Sequence, residues 1–272
     1  MPRIDGPNID DVRQFGRQVD FGRADEDYVR WRPGFPVAFF DRLYALGIGR
    51  PAQRILDVGT GTGSVARGLA ARGAEVIGLD PAISLLESAR TLDRESGVTV
   101  TSAVGRVESL QFPDKSFDVV TAGQCWHWFE RERAAAEIHR VLRPAGRVVI
   151  GHFDWLPLDE NVVAATEALI LFYNPAWKLA GGTGMYPQWL TDLAEAGFDG
   201  LETYSFDLSV PYSHEAWRGR IRASAGVRAS LDVEQTQRFD RALAELLSRD
   251  FPEEPLRVPH RVWTLIGWVP SA

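Results

Sequence analysis

An apolar run breaks into three alternating glycines in the stretch Arg54-Ile-Leu-Asp-Val-Gly-Thr-Gly-Thr-Gly-Ser64. The run predicts a buried strand, and apolar residues at helical spacing follow the last glycine, with Val65 and Leu69 on one face. A glycine loop between a strand and a helix brings bare backbone close to a ligand, because glycine has no Cβ and tolerates left-handed torsion angles. The stretch therefore predicts a ligand-binding loop in an α/β domain.

The alternation of strand and helix continues along the chain. A second strand over 76–79 ends at Asp80, and apolar residues from Ile83 onward predict a helix. Further strands are predicted at Val98 and Val100, over 117–120 and over 147–150, with a helix over 131–142. Strands that alternate with helices of this size indicate βαβ units and a parallel sheet covered on both faces.

The pattern changes after Trp155. Helices are predicted over 161–172, 187–196, 213–222 and 233–248, and two more strands over 201–210 and 261–266, in addition to an early helix over 37–46. Because no linker or repeat separates these elements, we predict a single domain over 1–272. Its parts are an N-terminal helical lid (1–50), a cofactor-binding core (51–155), cap insertions (156–186 and 209–255) and segments that complete the core (187–208 and 256–272).

Composition limits the partners. The formal net charge of −7 gives no basic surface for gripping nucleic acid, and the single cysteine, Cys125, excludes an intrachain disulfide. The first residues lack the apolar core of a signal peptide, and no apolar run approaches the roughly 20 residues of a membrane helix. We therefore expect a cytoplasmic protein that acts on a small molecule, without nucleic acid or membrane partners. The sequence leaves the oligomeric state open.

The residues around the loop indicate which ligand it binds. A P-loop is excluded because no Gly-Lys-Ser/Thr follows, and the dinucleotide fingerprint would need glycine where Ser64 stands. Asp57 would repel a pyrophosphate but favours an ammonium or sulfonium group. Asp80, at the end of the next strand, can accept from both hydroxyls of a ribose. A positively charged nucleoside without phosphate, S-adenosylmethionine, fits both carboxylates.

The sequence resembles the class I S-adenosylmethionine-dependent methyltransferases, in the small-molecule branch related to trans-aconitate and ubiquinone/menaquinone methyltransferases. The resemblance covers nearly the whole chain. It implies an α/β fold with a doubly wound, seven-stranded, mostly parallel sheet, Rossmann-like, with helical lid and cap insertions. Six blocks carry it in order: Leu56-Asp-Val-Gly-Thr-Gly-Thr-Gly63, Val76-Ile-Gly-Leu-Asp-Pro81, Gly105-Arg-Val-Glu-Ser-Leu-Gln-Phe112, Ser116-Phe-Asp-Val-Val120, Gln124-Cys-Trp-His-Trp-Phe129 and Val141-Leu-Arg-Pro-Ala-Gly146.

The resemblance also implies roles for single residues. The methionine part of the cofactor would be lined by Asp57, Gly59 and Gly61, with Gln124 by its amino group. Asp80 would hold the ribose, Pro81 would lie near the adenine and the backbone of Val107 would meet the adenine ring. In the N-terminal segment, Tyr28 and Arg32 would close over the cofactor's carboxylate.

One position departs from the family pattern. The residue before Val107 is often acidic and accepts from the adenine amino group, but here it is Arg106, which cannot accept. Either Glu108 or a backbone carbonyl takes over this contact, or the contact is missing.

The catalytic and substrate residues are less distinctive. His127, in Trp126-His-Trp128 just past the fourth strand, is the candidate general base, although a packing role is an alternative. His152 and Asp154 stand two residues apart but lack a third metal ligand, so a structural role is favoured and no metal is expected. Aromatic residues in the cap predict an apolar substrate pocket. The substrate candidates are Trp126, Tyr173, Tyr186, Trp217, Arg222 and Ser224.

These observations predict an enzyme that transfers the methyl group of S-adenosylmethionine to a small hydrophobic or aromatic metabolite, releasing S-adenosylhomocysteine. Such an activity would suit natural-product biosynthesis. Two alternatives stay open: a protein that binds S-adenosylmethionine without catalysis, and a nucleotide-dependent oxidoreductase. No tyrosine of the chain is followed by lysine four residues later, as the short-chain oxidoreductase centre requires.

Overall fold

A computed structural model describes residues 31, 33–224, 226–227 and 230–271. Within these residues, seven strands form one sheet in the order β3-β2-β1-β4-β5-β7-β6. Neighbouring strands run parallel except at β7, which is antiparallel to both β5 and β6. The strands are β1 (Arg54–Val58), β2 (Glu75–Asp80), β3 (Thr101–Val104), β4 (Phe117–Gly123), β5 (Leu142–Trp155), β6 (Asp199–Tyr212) and β7 (Leu256–Trp268).

Eight α-helices lie within the described ranges, and the predicted fold class is confirmed. They are α1 (Val37–Ala45), α2 (Ser64–Ala70), α3 (Ile83–Glu95), α4 (Arg131–Val141), α5 (Val162–Tyr173), α6 (Trp189–Glu195), α7 (His214–Arg222) and α8 (Val233–Asp250). Short 3-10 turns over Val107–Ser109 and Trp126–Trp128 follow β3 and β4. None of the helices in these ranges is both long and apolar enough to span a bilayer.

Three strands differ clearly from their sequence predictions. β3 begins at Thr101, after the apolar pair Val98 and Val100 that marked it, because its ladder to β2 starts where Thr101 pairs with Ile77. β5 is 14 residues long rather than four, since β7 pairs with it from Arg147 to Trp155 and Leu142 at its start pairs with Phe117 of β4. β7 begins at Leu256 rather than Arg261, because Leu256 pairs with Tyr212 of β6. Partner strands, and not the local apolar runs, set these ends.

The sheet is covered on both faces. Adjacent strand residues point to opposite sides, so Ile55 packs on α1 and α2, whereas Leu56 packs on α4 and α6. A third apolar cluster lies among the cap helices α5, α7 and α8, around Trp217 and Phe239. Side chains at the helix starts fix these cap elements: Asn161 caps α5, Ser213 caps α7, and Asp232 with Gln235 forms a capping box at α8.

The strand order places the candidate site. The chain leaves β1 toward β2 on one side and returns through β4 on the other, so the crevice outside the carboxyl ends of β1 and β4 is the switch point. The glycine loop follows β1 at this crevice, and the Trp126–Trp128 turn follows β4 there. Ligands in open α/β sheets bind in such a crevice.

Candidate active site

The glycine loop has the geometry that its sequence predicts. Gly59 and Gly61 both adopt left-handed torsion angles, with φ of 63° and 55°. A Cβ on Gly59 would stand 2.9 Å from Sγ of Cys125, so this glycine packs against the turn after β4. A Cβ on Gly61 would meet nothing within 4 Å. Gly61 therefore exposes its backbone to open space, as a cofactor-binding position requires.

Asp57 lies under the loop and is almost completely buried, at 1 % exposure. Its Oδ1 accepts from the Thr121 hydroxyl and its Oδ2 from the Thr60 hydroxyl, both at 2.6 Å. Burial raises the pKa of Asp57 to about 6; the hydroxyls of Thr121 and Thr60 oppose this rise, and the charge of Asp80 adds to it. Among the described residues no cationic side chain pairs with Asp57, so an ionised Asp57 is a buried negative charge that favours a positively charged ligand above the loop.

Asp80 ties the same loop to β2. Its Oδ2 accepts from the Gly61 N–H and its Oδ1 from the Ala82 N–H, each at 2.9 Å. Burial raises the pKa of Asp80, while these two backbone N–H groups lower it. Each carboxylate oxygen can still accept a second hydrogen bond, so the residue retains the capacity to bind ribose hydroxyls. Pro81, which follows it, is exposed.

The departure at Arg106 has a structural counterpart. Glu108 is buried in the turn after β3, where its Oε1 accepts from the Glu130 N–H and its Oε2 lies 3.3 Å from Nε of Arg106. Both oxygens thus have partners, and the carboxylate links the turn to the start of α4. Each oxygen can still accept a second hydrogen bond, so the role of Glu108 as acceptor for an adenine amino group stays a prediction. Val107 beside it is buried, at 3 % exposure.

Gln124 connects the ends of β4 and β5. Its backbone N–H donates to the Gly151 carbonyl at 2.9 Å, and its side-chain Nε2 donates to the Phe153 carbonyl. The residue has a left-handed φ of 60°, which turns the chain sharply into the Trp126–Trp128 turn. Gln124 is half-buried at the crevice, next to the position predicted for the cofactor's amino group.

A polar cluster in aromatic surroundings lies beyond Gln124. Asp154 accepts from the Tyr186 hydroxyl at 2.7 Å through Oδ2, which also lies 3.3 Å from Nδ1 of His152. The His152 ring is edge-on to the His127 ring, with centroids 5.4 Å apart. We call His127, His152, Asp154 and Tyr186 the Asp154 cluster. It brings two predicted site residues, His127 and Tyr186, together with a histidine and a carboxylate.

The Asp154 cluster holds a negative charge on Asp154. Burial alone would raise the pKa of Asp154, but the charge and hydrogen bond of His152, the Tyr186 hydroxyl and the charge of His127 lower it to about 2. Burial and the adjacent Asp154 raise the pKa of Tyr186 well above its usual range. Near neutral pH the cluster thus contains a carboxylate anion and a neutral phenol, which donates to it.

Known proteins show where this architecture belongs. The family described as "Methyltransferase domain" matches residues 56–150. A ubiquinone/menaquinone biosynthesis C-methyltransferase from Bordetella parapertussis is 32 % identical over 192 residues, which cover 62 % of this chain and 72 % of that protein. The chain belongs to the class I S-adenosylmethionine-dependent methyltransferases.

Two further comparisons describe the extent of this similarity. An uncharacterised methyltransferase from Mycobacterium tuberculosis is 35 % identical over 144 residues, and the matched part spans about half of each protein, 53 % of this chain and 55 % of the relative. A protein from Anaeromyxobacter dehalogenans, provisionally assigned as a type II methyltransferase, superposes with a TM-score of 0.63 at 25 % identity. That superposition covers 89 % of this chain and 99 % of the other.

The cofactor of this methyltransferase family fits the observed loop. The open approach to Gly61 suits a ligand that must come close to backbone, and a buried carboxylate beneath it suits a sulfonium cation. Asp57, Gly59 and Gly61 would border the methionine part, and Asp80 would hold the ribose. The predicted lid residues Tyr28 and Arg32 lie outside the described residues.

Two residues that were predicted to contact the substrate, Trp126 and Trp217, lie in the core of the fold. Trp126 is fully buried and its indole N–H donates to Asp192 at 2.9 Å. Trp217 is fully buried in the cap and donates to the Thr166 hydroxyl at 3.0 Å. Large aromatic rings with a satisfied N–H are core residues by default, so neither ring offers surface to a substrate in this conformation.

The other cap candidates are separate from the Asp154 cluster. Tyr173 packs edge-on against Phe239 at 5.7 Å. Arg222 forms an ion pair with Asp240 at 2.7 Å, between α7 and α8. Ser224 is buried, and its hydroxyl has no hydrogen-bond partner among the described residues. Within the same described part of the chain, no group of three or more His, Cys, Asp or Glu residues could hold a metal ion.

Sequence reasoning missed three contributors to the site. Thr121 pairs in register with Asp57 across β1 and β4, a contact that only the sheet order produces. His152 and Asp154 were read as structural, because two residues on one strand do not disclose what packs opposite them. The available signal was their alternation with Phe153 at the carboxyl end of a central strand, which puts both on one face of the sheet at its ligand-binding edge.

Proposed function

We propose that this methyltransferase transfers the methyl group of S-adenosylmethionine to a small, apolar or aromatic metabolite. The observation that carries the proposal is the convergence of Gly61, Asp57 and Asp80 at the switch point of the sheet, with open space above Gly61. The Asp154 cluster and its aromatic walls lie beside the same edge, where an acceptor would approach.

S-adenosylmethionine, when bound, supplies a methyl group on a sulfonium whose leaving group is a neutral thioether. The chain's own residues have to bind the cofactor and the acceptor, orient them toward each other and exclude water from the site. Positioning two reactants can contribute roughly 7–11 kcal/mol, whereas a placed general base contributes about 10²–10⁴-fold in rate. We therefore assign most of the rate enhancement to positioning by the loop and the cap, and the smaller part to His127 as a proton acceptor.

The aromatic side chains around the Asp154 cluster favour an aromatic or apolar methyl acceptor. Tyr186 stacks on Trp189 with ring centroids 4.2 Å apart, and both rings meet Trp263. The Bordetella relative is named for C-methylation in ubiquinone and menaquinone biosynthesis, which also fits a ring acceptor. We extend the proposal to a single domain that acts as an enzyme, with the N-terminal segment around Tyr28 and Arg32 as its lid.

Calorimetry with S-adenosylmethionine, S-adenosylhomocysteine and a nicotinamide dinucleotide tests the proposal. We expect both adenosyl compounds to bind and the dinucleotide not to bind. Replacing Asp80 with alanine should weaken adenosyl binding by roughly 10–100-fold, since a charged hydrogen-bond acceptor is worth about 1.5–3 kcal/mol. Asp118→Ala is the matched control, because Asp118 lies near the amino end of β4, at the end of the strand away from the glycine loop, where it pairs with Arg143. Equal loss in both variants, or preference for the dinucleotide, contradicts the proposal.

A single-turnover assay separates positioning from base catalysis once an acceptor is found. His127→Ala should slow methyl transfer by about 10²-fold or more and leave cofactor affinity unchanged. An undiminished rate would remove His127 as the proton acceptor while leaving the methyltransferase proposal intact.

A further inference from the structure

The Asp154 cluster contains more polar groups than packing requires. Asp154 stands at the carboxyl end of β5, with 27 % of its side chain exposed, and His152 is 2 % exposed on the same face. A carboxylate in such surroundings is costly unless it is hydrogen-bonded or paired. Here Tyr186 and His152 both converge on Oδ2 of Asp154. The cluster therefore holds a negative charge in a defined orientation.

The tyrosine and the aromatic residues fix this orientation. The Tyr186 ring lies flat on Trp189, with an interplanar angle of 4°, so its hydroxyl has little freedom to leave Asp154. The His152 ring packs against the same two rings, at 4.4 and 4.8 Å between centroids. Nε2 of His152 is buried and has no hydrogen-bond partner among the described residues. His152 thus acts in this cluster through Nδ1, toward Asp154.

His127 is the outer member of the cluster. It is half-buried on the turn that follows β4, three residues after Gln124, whereas His152 behind it is buried. The centroids of the two imidazole rings are 5.4 Å apart, and Nδ1 of His152 lies 3.3 Å from Oδ2 of Asp154. The charges of His127 and Asp154 act on each other, so a positive charge that appears on His127 is favoured by the fixed negative charge of Asp154.

We propose that Asp154, held by Tyr186, is a positioning residue that orients the histidine pair and makes His127 a stronger proton acceptor. This inference rests on the proposed function and deepens it, because it selects acceptors that lose a proton on methylation. Phenols and enols are the class that fits a basic imidazole in an aromatic surround. The Asp154 carboxylate itself does not touch the acceptor.

The proton and charge balance is simple. As the acceptor oxygen forms its bond to the methyl carbon and the sulfur–carbon bond breaks, the hydroxyl proton passes to the imidazole of His127. The thioether that leaves is neutral, so the positive charge that arrived on sulfur ends on the imidazolium. Asp154 stabilises that imidazolium through the histidine pair, and solvent removes the proton afterwards. No oxidant or metal ion takes part in this step.

Titration of the histidine ring signals by NMR tests the inference without a known acceptor. The chain has five histidines, so His127→Gln assigns the His127 signal. The titratable groups that act on Asp154 in the described residues are His127, His152 and Tyr186, with His260 from β7. Arg261 stands opposite Asp154 in the strand register, and its guanidinium pairs with Asp207. In Asp154→Asn we expect the pKa of His127 to fall by about one unit or more, since a nearby opposite charge raises it by that order.

Three further variants keep the test decisive. Tyr186→Phe retains the carboxylate but removes a donor to it, so the pKa of His127 should stay at or above the wild-type value; Tyr204→Phe on β6 is its matched control. Asp118→Asn removes an equal charge near the amino end of β4, away from the Asp154 cluster, and should leave the His127 titration unchanged. A His127 pKa that is unaffected by Asp154→Asn overturns the inference. So does an equal fall in Asp154→Asn and Tyr186→Phe, which would indicate a general loss of packing.

Activity then tests the acceptor class. In a panel of phenol, catechol, 4-hydroxybenzoate and 4-nitrophenol, at least one methylated product is expected. Asp154→Asn should lower its kcat by tenfold or more, with little change in KM. Failure of the entire panel with wild-type protein overturns the acceptor class. Failure of S-adenosylmethionine to bind in calorimetry would instead remove the proposed function, so the two failures are distinguishable.

Discussion

Replacement of Asp57 by asparagine is expected to stabilise the ligand-free fold while it weakens cofactor binding. The pKa of Asp57 rises from 3.8 to about 6 on folding because the side chain is buried. A raised carboxyl pKa means that the folded state holds the proton more tightly than the unfolded state. Stability from this group therefore falls as the pH rises from about 4 to about 6, and its loss is complete above 6. About two units at about 1.4 kcal/mol each give a cost of ~3 kcal/mol.

Asparagine keeps the shape of the side chain and avoids this cost. Thr60 and Thr121 can turn their hydroxyls to donate to the amide oxygen or accept from its nitrogen, so both contacts at 2.6 Å can be retained. The free energy of unfolding of Asp57→Asn should thus exceed that of the wild-type protein by up to ~3 kcal/mol near pH 7.5, with the gain vanishing near pH 4. Calorimetry should show weaker binding of S-adenosylmethionine, whose sulfonium loses its buried counter-charge.

Urea unfolding at pH 4 and pH 7.5 measures the difference, and both values lie away from the isoelectric point of 5.3. Asp118→Asn serves as the control, because it removes a partly exposed carboxylate that is paired with Arg143 and should not stabilise the fold. A stability difference between Asp57→Asn and wild type that is the same at the two pH values would refute the reasoning. Unchanged affinity for S-adenosylmethionine would separately refute the electrostatic role of Asp57.

The remaining predictions concern the loop, the cluster and the core. Gly61→Ala should cost only about 1–2 kcal/mol of stability for its left-handed φ of 55°, yet should abolish cofactor binding in calorimetry because its methyl group enters the approach; Gly59→Ala should lower the melting temperature further, since its Cβ would stand 2.9 Å from Cys125. The lowered pKa of Asp154, about 2, implies stability that is present above about pH 4 and lost as the pH falls toward 2; Asp154→Asn should show a smaller acid-induced loss, by ~2 kcal/mol in urea unfolding. Trp217→Phe should reduce stability by about 1–3 kcal/mol through the lost indole hydrogen bond and the lost volume, although the Thr166 hydroxyl still donates to the Val162 carbonyl; S-adenosylmethionine affinity should stay at the wild-type value.

Local chemistry was enough to predict the glycine loop and the carboxylate at the end of the following strand. Glycine at 59 and 61 is required by left-handed torsion angles and close approach, and these constraints act within a few residues of one turn. A carboxylate at the end of a strand, as at Asp80, is placed by the strand's own length. The local sequence likewise predicted α5 and α7 to within about a residue, because capping side chains such as Asn161 and Ser213 lie next to the helices they start.

Only the tertiary structure decided which side chains meet across the sheet and the cap. The pairing of β7 with β5 extended β5 beyond Ile150 and so placed His152 and Asp154 at the carboxyl end of this strand. The position of Tyr186 on Trp189 made that carboxylate a hydrogen-bonded anion. Trp126 was predicted to contact substrate, but packing between α4 and α6 buried it. These outcomes depend on long-range burial and pairing, whose free energy comes from residues far away in the sequence, and so no local pattern encodes them.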